Sequence, residues 1–173
     1  MNRLVKGLVV GTFQVALVAS LGVKLLYDRS TRPRAWAQAA PYDPSMPIRG
    51  RYVSLQLTVD LRGNAPGTPE RRPPVPVILR GEGDRLVAQV DEQQSRYDPS
   101  ALHVRTFLRG GETLAVLDQP VVFFIPEHVA DPARRGAGEQ LWVEVTIPKK
   151  GPPRPIRLGV KKDGGEIEPL ELD

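Results

Sequence analysis

Tyr52-Val53-Ser54-Leu55-Gln56-Leu57-Thr58-Val59-Asp60-Leu61 alternates apolar and polar side chains without a break. Successive side chains on a strand point to opposite faces, so Val53, Leu55, Leu57, Val59 and Leu61 make a buried face and Ser54, Gln56, Thr58 and Asp60 a wet one. The same period returns in Leu141, Val143, Val145 and Ile147 against Trp142, Glu144 and Thr146. Weaker runs predict strands at Val75 to Arg80, Arg85 to Val90, Leu102 to Leu108, Thr113 to Leu117, Val121 to Ile125, Arg157 to Lys161 and Glu166 to Glu171. Gly81-Glu82-Gly83-Asp84, Gly110-Gly111 and Asp163-Gly164-Gly165 punctuate them, and glycine supplies the positive φ that tight hairpins need. The expectation is an all-β domain, an antiparallel meander closed as a small barrel or folded as a sandwich. Two stretches interrupt the pattern. Arg62 to Pro76 is too rich in proline and glycine for a ladder and reads as an exposed loop, and Asp131-Pro132 is placed to cap a short helix ending near Gly136.

Upstream of the strands the chain changes character. Gly7 to Val23 holds no charged side chain, and Arg3 and Lys6 precede it. Seventeen residues of helix span about 25 Å against a hydrocarbon core of about 30 Å. Lys24, snorkelling to the headgroups, lets Leu25, Leu26 and Tyr27 complete a transmembrane helix over 7–27. The organisation expected is a tail at 1–6, the helix at 7–27, a spacer at 28–34 and a β-rich domain at 35–173. A signal peptide starts in the same way, and Ala35-Trp36-Ala37 or Ala37-Gln38-Ala39 would serve as its cleavage site. The charged stretch from Lys24 to Arg34 separates those alanines from the apolar core, which favours a retained anchor. A buried helix in a soluble protein is disfavoured, because Gly7, Gly11 and Gly22 weaken a helix in water and are common in membrane helices.

Charge bounds the partners. Residues 1–29 carry a net +3, and the remainder holds 20 basic and 19 acidic residues, a net +1. A nucleic-acid binder needs its positive excess on the folded domain, so the expected partners are the lipid bilayer, through 7–27, and a membrane or envelope protein, not nucleic acid. Lys149-Lys150 and Lys161-Lys162 are two basic pairs for which contact with anionic lipid is the lesser reading and solvated hairpin faces the favoured one. Cysteine is absent, which removes disulfide and thiol chemistry. Orientation is a near tie by charge: Arg3 and Lys6 on one side oppose Lys24, Arg29, Arg32 and Arg34 on the other.

The stretch from Pro41 to Leu57, PYDPSMPIRGRYVSLQL, resembles the signature of the bacterial family named for its GDYXXLXY motif. Gly50, Tyr52 and Leu55 fit; Arg51 stands where the family has Asp, and Leu57 where it has Tyr. The order of parts is similar as well: an amino-terminal membrane helix, a short strand into an Asp-Pro turn at Asp43-Pro44, the motif strand, and later an aromatic-Ile-Pro-Glu turn, here Phe124-Ile125-Pro126-Glu127. The resemblance implies a small bacterial protein anchored in the inner membrane, its domain extracytoplasmic, and it implies no substrate. The motif residues, Asp43, Gly50, Arg51, Tyr52, Leu55, Leu57, Pro126 and Glu127, are expected to be structural or interaction residues. Tyr52 should lie on the face opposite Val53, Leu55 and Leu57.

Enzymatic readings find less to build on. Ser45-Met46-Pro47, soon after a membrane helix, resembles the Ser/Lys membrane signal peptidases, but no lysine occurs between Lys24 and Lys149 to take the serine proton. His103 and His128 are the only histidines. His103 reads as a surface or core-edge residue, and Glu127, His128 and Asp131 make the one polar cluster able to serve a hydrolase. No phosphate loop, nucleotide fingerprint or nucleophile elbow is present, and no cofactor or metal is expected. The leading expectation is therefore a membrane-tethered β domain that binds or scaffolds another envelope component; the competing one is a divergent membrane-anchored hydrolase.

Overall fold

A computed structural model of the chain describes residues 3–42, 52–63, 73–95, 97–109, 112–129, 131–132 and 134–172. They form two compact units, Met1–Arg32 and Pro33–Asp173. The first is a single helix, α1 (Arg3–Thr31). Its apolar stretch Val5–Tyr27 is long enough to cross a membrane and has no part buried against protein. Leu8, Phe13, Val18 and Leu26 are each more than 60 % exposed, so the helix has an apolar circumference and no protein core to hide it.

The second unit is built from ten strands: β1 (Arg34–Pro41), β2 (Tyr52–Arg62), β3 (Val75–Glu82), β4 (Arg85–Val90), β5 (Leu102–Arg109), β6 (Glu112–Leu117), β7 (Val121–Phe124), β8 (Glu139–Thr146), β9 (Arg154–Lys162) and β10 (Ile167–Pro169). Six of them, in the order β1-β4-β3-β5-β6-β2, close into a barrel through the pairing of β1 with β2. β7 extends the barrel beside β2, and β8, β9 and β10 extend it beside β1. Of the two architectures expected, barrel and sandwich, the barrel forms. Its strands are not sequential neighbours as in a meander. The β3–β4 hairpin folds back so that β4 runs parallel to β2 over Asp60–Arg62 and meets β1 at Trp36. A period of two records which face is buried and carries nothing about which strand lies alongside.

β2 matches its reading closely. Leu55 and Leu57 are fully buried, Val53 and Val59 nearly so, and the residues between them are half-buried. A six-stranded barrel has a narrow interior that cannot take large side chains from every strand. β1 accordingly faces inward with Ala35, Ala37 and Ala39, which are 2 %, 2 % and 7 % exposed, and β4 and β6 add Ala88 and Ala115. Val143, Val145 and Leu158 of β8 and β9 join the same core.

Three expectations are corrected. β3 starts at Val75, where the strand over Val75 to Arg80 is expected, but Pro76, expected to end an exposed loop, is buried in the ladder opposite His103. It is tolerated because its carbonyl accepts from Asp91 at 2.9 Å, beyond the last β3–β4 pair at Val90, so its missing N–H falls at the end of that ladder. No helix forms among the described residues of 131–136, where a single turn has the Arg134 N–H donating to the Asp131 carbonyl at 3.2 Å. So short a segment cannot repay helix nucleation without a packed face. Finally, both faces of β8 are buried: Trp142, Glu144 and Thr146, read as a wet face, are 6 %, 7 % and 5 % exposed.

The barrel core should respond to truncation far more than its outer face does. Leu57→Ala is expected to cost about 2–5 kcal/mol in chemical denaturation of the detergent-solubilised chain. Thr58→Ala, one residue on and facing outward, should stay within about 0.5 kcal/mol.

Candidate functional site

The two stretches that carry the family resemblance meet in space. β7 pairs with β2 so that Tyr52 lies opposite Phe124, Ser54 opposite Val122 and Leu55 opposite Val121. On the other edge of β2 the Tyr42 N–H donates to the Ser54 carbonyl at 2.9 Å, continuing the β1–β2 ladder by one residue. Alternation then divides the roles. Val53, Leu55, Val121 and Ile125 face the core, Ile125 being 3 % exposed. Tyr42, Tyr52, Val122 and Phe124 face outward, where Tyr42, Val122 and Phe124 are 51 %, 55 % and 68 % exposed and Tyr52 is half-buried. The result is an aromatic patch on the outer wall at the Pro41 end of β1.

The motif residues divide accordingly. Leu55 and Leu57 are core residues, and Tyr52 takes the outward face expected for it. Pro126 is half-buried, accepting from the Val129 N–H at 3.3 Å, and Glu127 is exposed on the turn that follows. Asp43, Gly50 and Arg51 lie outside the described residues, as does Ser45 of the peptidase-like reading.

Glu127 and His128 are both exposed, with Asp131 half-buried nearby in sequence. No cleft encloses them in the lining of either of the two cavities described below, and among the described residues no three His, Cys, Asp or Glu side chains converge as a metal site would require. His103 is a half-buried strand residue whose Nε2 is buried without a hydrogen-bond partner among the described groups. It stands near Asp98. That carboxylate accepts from the Ser100 hydroxyl at 2.7 Å, the Ser100 N–H at 2.8 Å and the Gln94 amide at 3.1 Å. These bonds, led by the Ser100 hydroxyl, hold its carboxyl below the usual aspartate value, and the His103 charge adds to them.

A second cluster escaped the sequence reading. The chain's two tryptophans both lie on the face shared by β1, β8 and β9. The Arg85 guanidinium sits 5.3 Å from the Trp142 ring centre, Lys161 5.8 Å from it, and Arg157 5.4 Å from that of Trp36. The Arg157 Nε also donates to the buried Glu144 carboxylate at 2.7 Å. Gly159 makes this stacking possible: a Cβ there would stand 2.9 Å from the Trp36 ring and 2.8 Å from Ile167. A cavity of about 260 Å³ opens beside the cluster, where β4 separates β1 from β2, and Gln38, Thr58, Asp60 and Arg85 line it with the two indoles. The Trp142 Nε1 is buried without a hydrogen-bond partner among the described residues. A larger cavity of about 470 Å³ lies along β3, between Ser100 and the turn at Lys149. Two tryptophans on alternating strand positions were the available signal; their cationic partners are brought in by the β8–β9 register and the β3–β4 hairpin.

Two measurements follow from these contacts. Arg157→Ala leaves the Glu144 carboxylate buried without its donor and should cost about 1–3 kcal/mol in denaturant unfolding. Acidification should act through Asp98. A folded pKa depressed below 3.8 contributes stability that is present above that pH and is lost as pH falls through the folded value. Thermal melts between about pH 2 and pH 5, a range that brackets the ordinary aspartate value, should show native protein losing more stability on acidification than Asp98→Asn.

No protein-family model matches the chain, and neither a curated protein nor a solved structure matches it.

Proposed function

We propose that this chain is a single-pass protein of the bacterial inner membrane, its amino terminus cytoplasmic and its barrel extracytoplasmic. On this reading the barrel performs no chemistry of its own; it binds or scaffolds another envelope component. The reading follows the resemblance to the GDYXXLXY family. Independent support comes from an exposed helix with an apolar circumference and a barrel that begins three residues after it.

One observation carries the retained anchor. The alanines that would mark a signal-peptide cleavage site, Ala35, Ala37 and Ala39, are the inward face of β1. Cleavage after Ala37 or Ala39 would remove the residues that pair with β8 from Arg34 to Ala37, together with the Trp36 N–H that donates to the Asp84 carbonyl at 2.6 Å. A processed chain would lose the half of β1 that pairs with β8, and cleavage after Ala39 would also take Gln38 and Ala39 from the pairing with β2. The alternating alanines are accounted for by a narrow barrel, with no peptidase invoked.

For the binding role, the support is the patch of Tyr42, Tyr52, Val122 and Phe124. Half-exposed aromatic rings held on a rigid wall suit an apolar segment of a partner protein, burying large area at low entropic cost. The exposed His128 gives the hydrolytic alternative no enclosed site.

Full-length protein should stay with membranes through alkaline carbonate extraction, and protease cutting within 28–34 should release a folded, resistant β domain. Protease added outside intact spheroplasts should make that cut. Recovery of full-length chain in the soluble fraction overturns the anchor, and protection of the spacer until the cells are lysed overturns the orientation.

A further inference from the structure

The two lysine pairs near the carboxyl terminus are alike in sequence, and the β8–β9 ladder sends them to opposite ends of the second unit. Lys161 and Lys162 stand opposite Gln140 and Glu139, and Lys162 is bridged to Glu139 at 3.4 Å. Lys149 and Lys150 lie on the turn that follows β8. Just before them, the Ile147 N–H donates to the Pro33 carbonyl at 2.9 Å, which holds this turn against the first residue of the unit. Arg34 and Arg154 flank Thr146 from its two sides, paired with it in the ladders to β1 and β9. Four exposed basic residues, Arg34, Lys149, Lys150 and Arg154, therefore gather where the chain enters the barrel.

Three acidic residues are described around this end. Asp91 lines the cavity along β3 together with Lys149 and Lys150, and Glu82 and Asp84 belong to the β3–β4 hairpin, which reaches β1 through the hydrogen bond from Trp36 to the Asp84 carbonyl. Glu82 is already bridged to Arg62 at 3.3 Å. The excess is positive and it is local, even though residues 30–173 as a whole carry only +1.

Connectivity tells what this end faces. The apolar stretch of α1 stops at Tyr27 and the helix continues to Thr31, a further rise of about 6 Å. The headgroup layer is itself about 5–7 Å thick on each side of the hydrocarbon. Only Arg32 then precedes Pro33. With α1 across a bilayer, the entry end of the barrel sits within about one Debye length, roughly 10 Å, of the headgroups.

We propose that Arg34, Lys149, Lys150 and Arg154 form a basic face that binds anionic phospholipid headgroups and holds the entry end of the barrel against the bilayer surface. The proposal rests on the reading of α1 as a retained transmembrane helix. Docking fixes the orientation of the barrel at the bilayer surface, with the aromatic patch at the other end of β1 held away from the membrane. Each cation near such a surface shifts the docked population about fivefold at moderate ionic strength.

The test uses the full chain in nanodiscs of phosphatidylcholine alone and of phosphatidylcholine with phosphatidylglycerol, reading lysine acylation by mass spectrometry. Lys149 and Lys150 should react about fivefold more slowly in the anionic discs, the difference should vanish at high salt, and Lys161 and Lys162 should not change. Lys149→Gln should weaken the protection of the remaining reporter, Lys150, whereas Lys161→Gln should leave it intact. Equal reactivity of Lys149 and Lys150 in both discs overturns the proposal, as does an equal slowing of Lys161 and Lys162, which would report bulk attraction. Co-elution with discs of either composition reports the anchor separately. If the chain fails to enter neutral discs, the anchored reading fails. The same acylation contrast on anionic vesicles then decides the basic face by itself.

Discussion

β1 is the strand on which the rest of the molecule depends. Its Gln38–Pro41 half pairs antiparallel with β2 and so closes the barrel, while its Arg34–Gln38 half pairs antiparallel with β8 and carries the outer strands. On the β2 side the hairpin of β3 and β4 enters where the β1–β2 pairing stops, and the Trp36 N–H finds its acceptor in Asp84. A strand placed here has to satisfy two ladders with its backbone and fit a narrow interior with its side chains. Alanine at alternate positions does both: it keeps the backbone extended and adds almost no volume to a core already filled by Leu55, Leu57, Val104 and Leu158. The outward positions, Trp36 and Gln38, are free to be large or polar: Trp36 joins the tryptophan–arginine cluster and Gln38 lines the cavity beside it.

The legibility of this chain follows from what hydrophobic periodicity measures. Strands whose inward residues are large, above all Val53 to Leu61, are readable because alternation of leucine and valine with polar residues has few other causes. β1 is hidden to the same reading, because alanine carries little hydrophobic signal and its alternation also fits a signal-peptide cleavage site; only the family resemblance pointed to a strand before the Asp-Pro turn. Trp142, Glu144 and Thr146 read as solvent-facing because a strand with one wet face is the simplest case, and nothing local reveals that Arg85 and Lys161 lie over Trp142, Arg157 pairs with Glu144 and Thr146 bonds to the Arg154 carbonyl. The two lysine pairs differ only through the strand register that separates them. Of the candidate site, Tyr52 was placed on its face from alternation alone, while its meeting with Phe124 required the non-local β2–β7 pairing.

The molecule has two distinct ends along β1. Pro41 is seven residue steps along the strand from Arg34, about 23 Å. At the first end stand Pro33 and the basic turn at Lys149-Lys150; at the other stands the aromatic wall of Tyr42, Tyr52 and Phe124. In the proposed function this polarity assigns the first end to lipid and the second to a protein partner.

The central claim is that β1 belongs to the mature protein together with the helix before it. Intact-mass measurement of the protein purified from the membranes of its own cells tests this most directly. Retention of the helix predicts a species of no less than 19.1 kDa that holds α1 and β1 in one chain. A mature chain beginning at Gln38 or Ala40, as cleavage after Ala37 or Ala39 would produce, contradicts it.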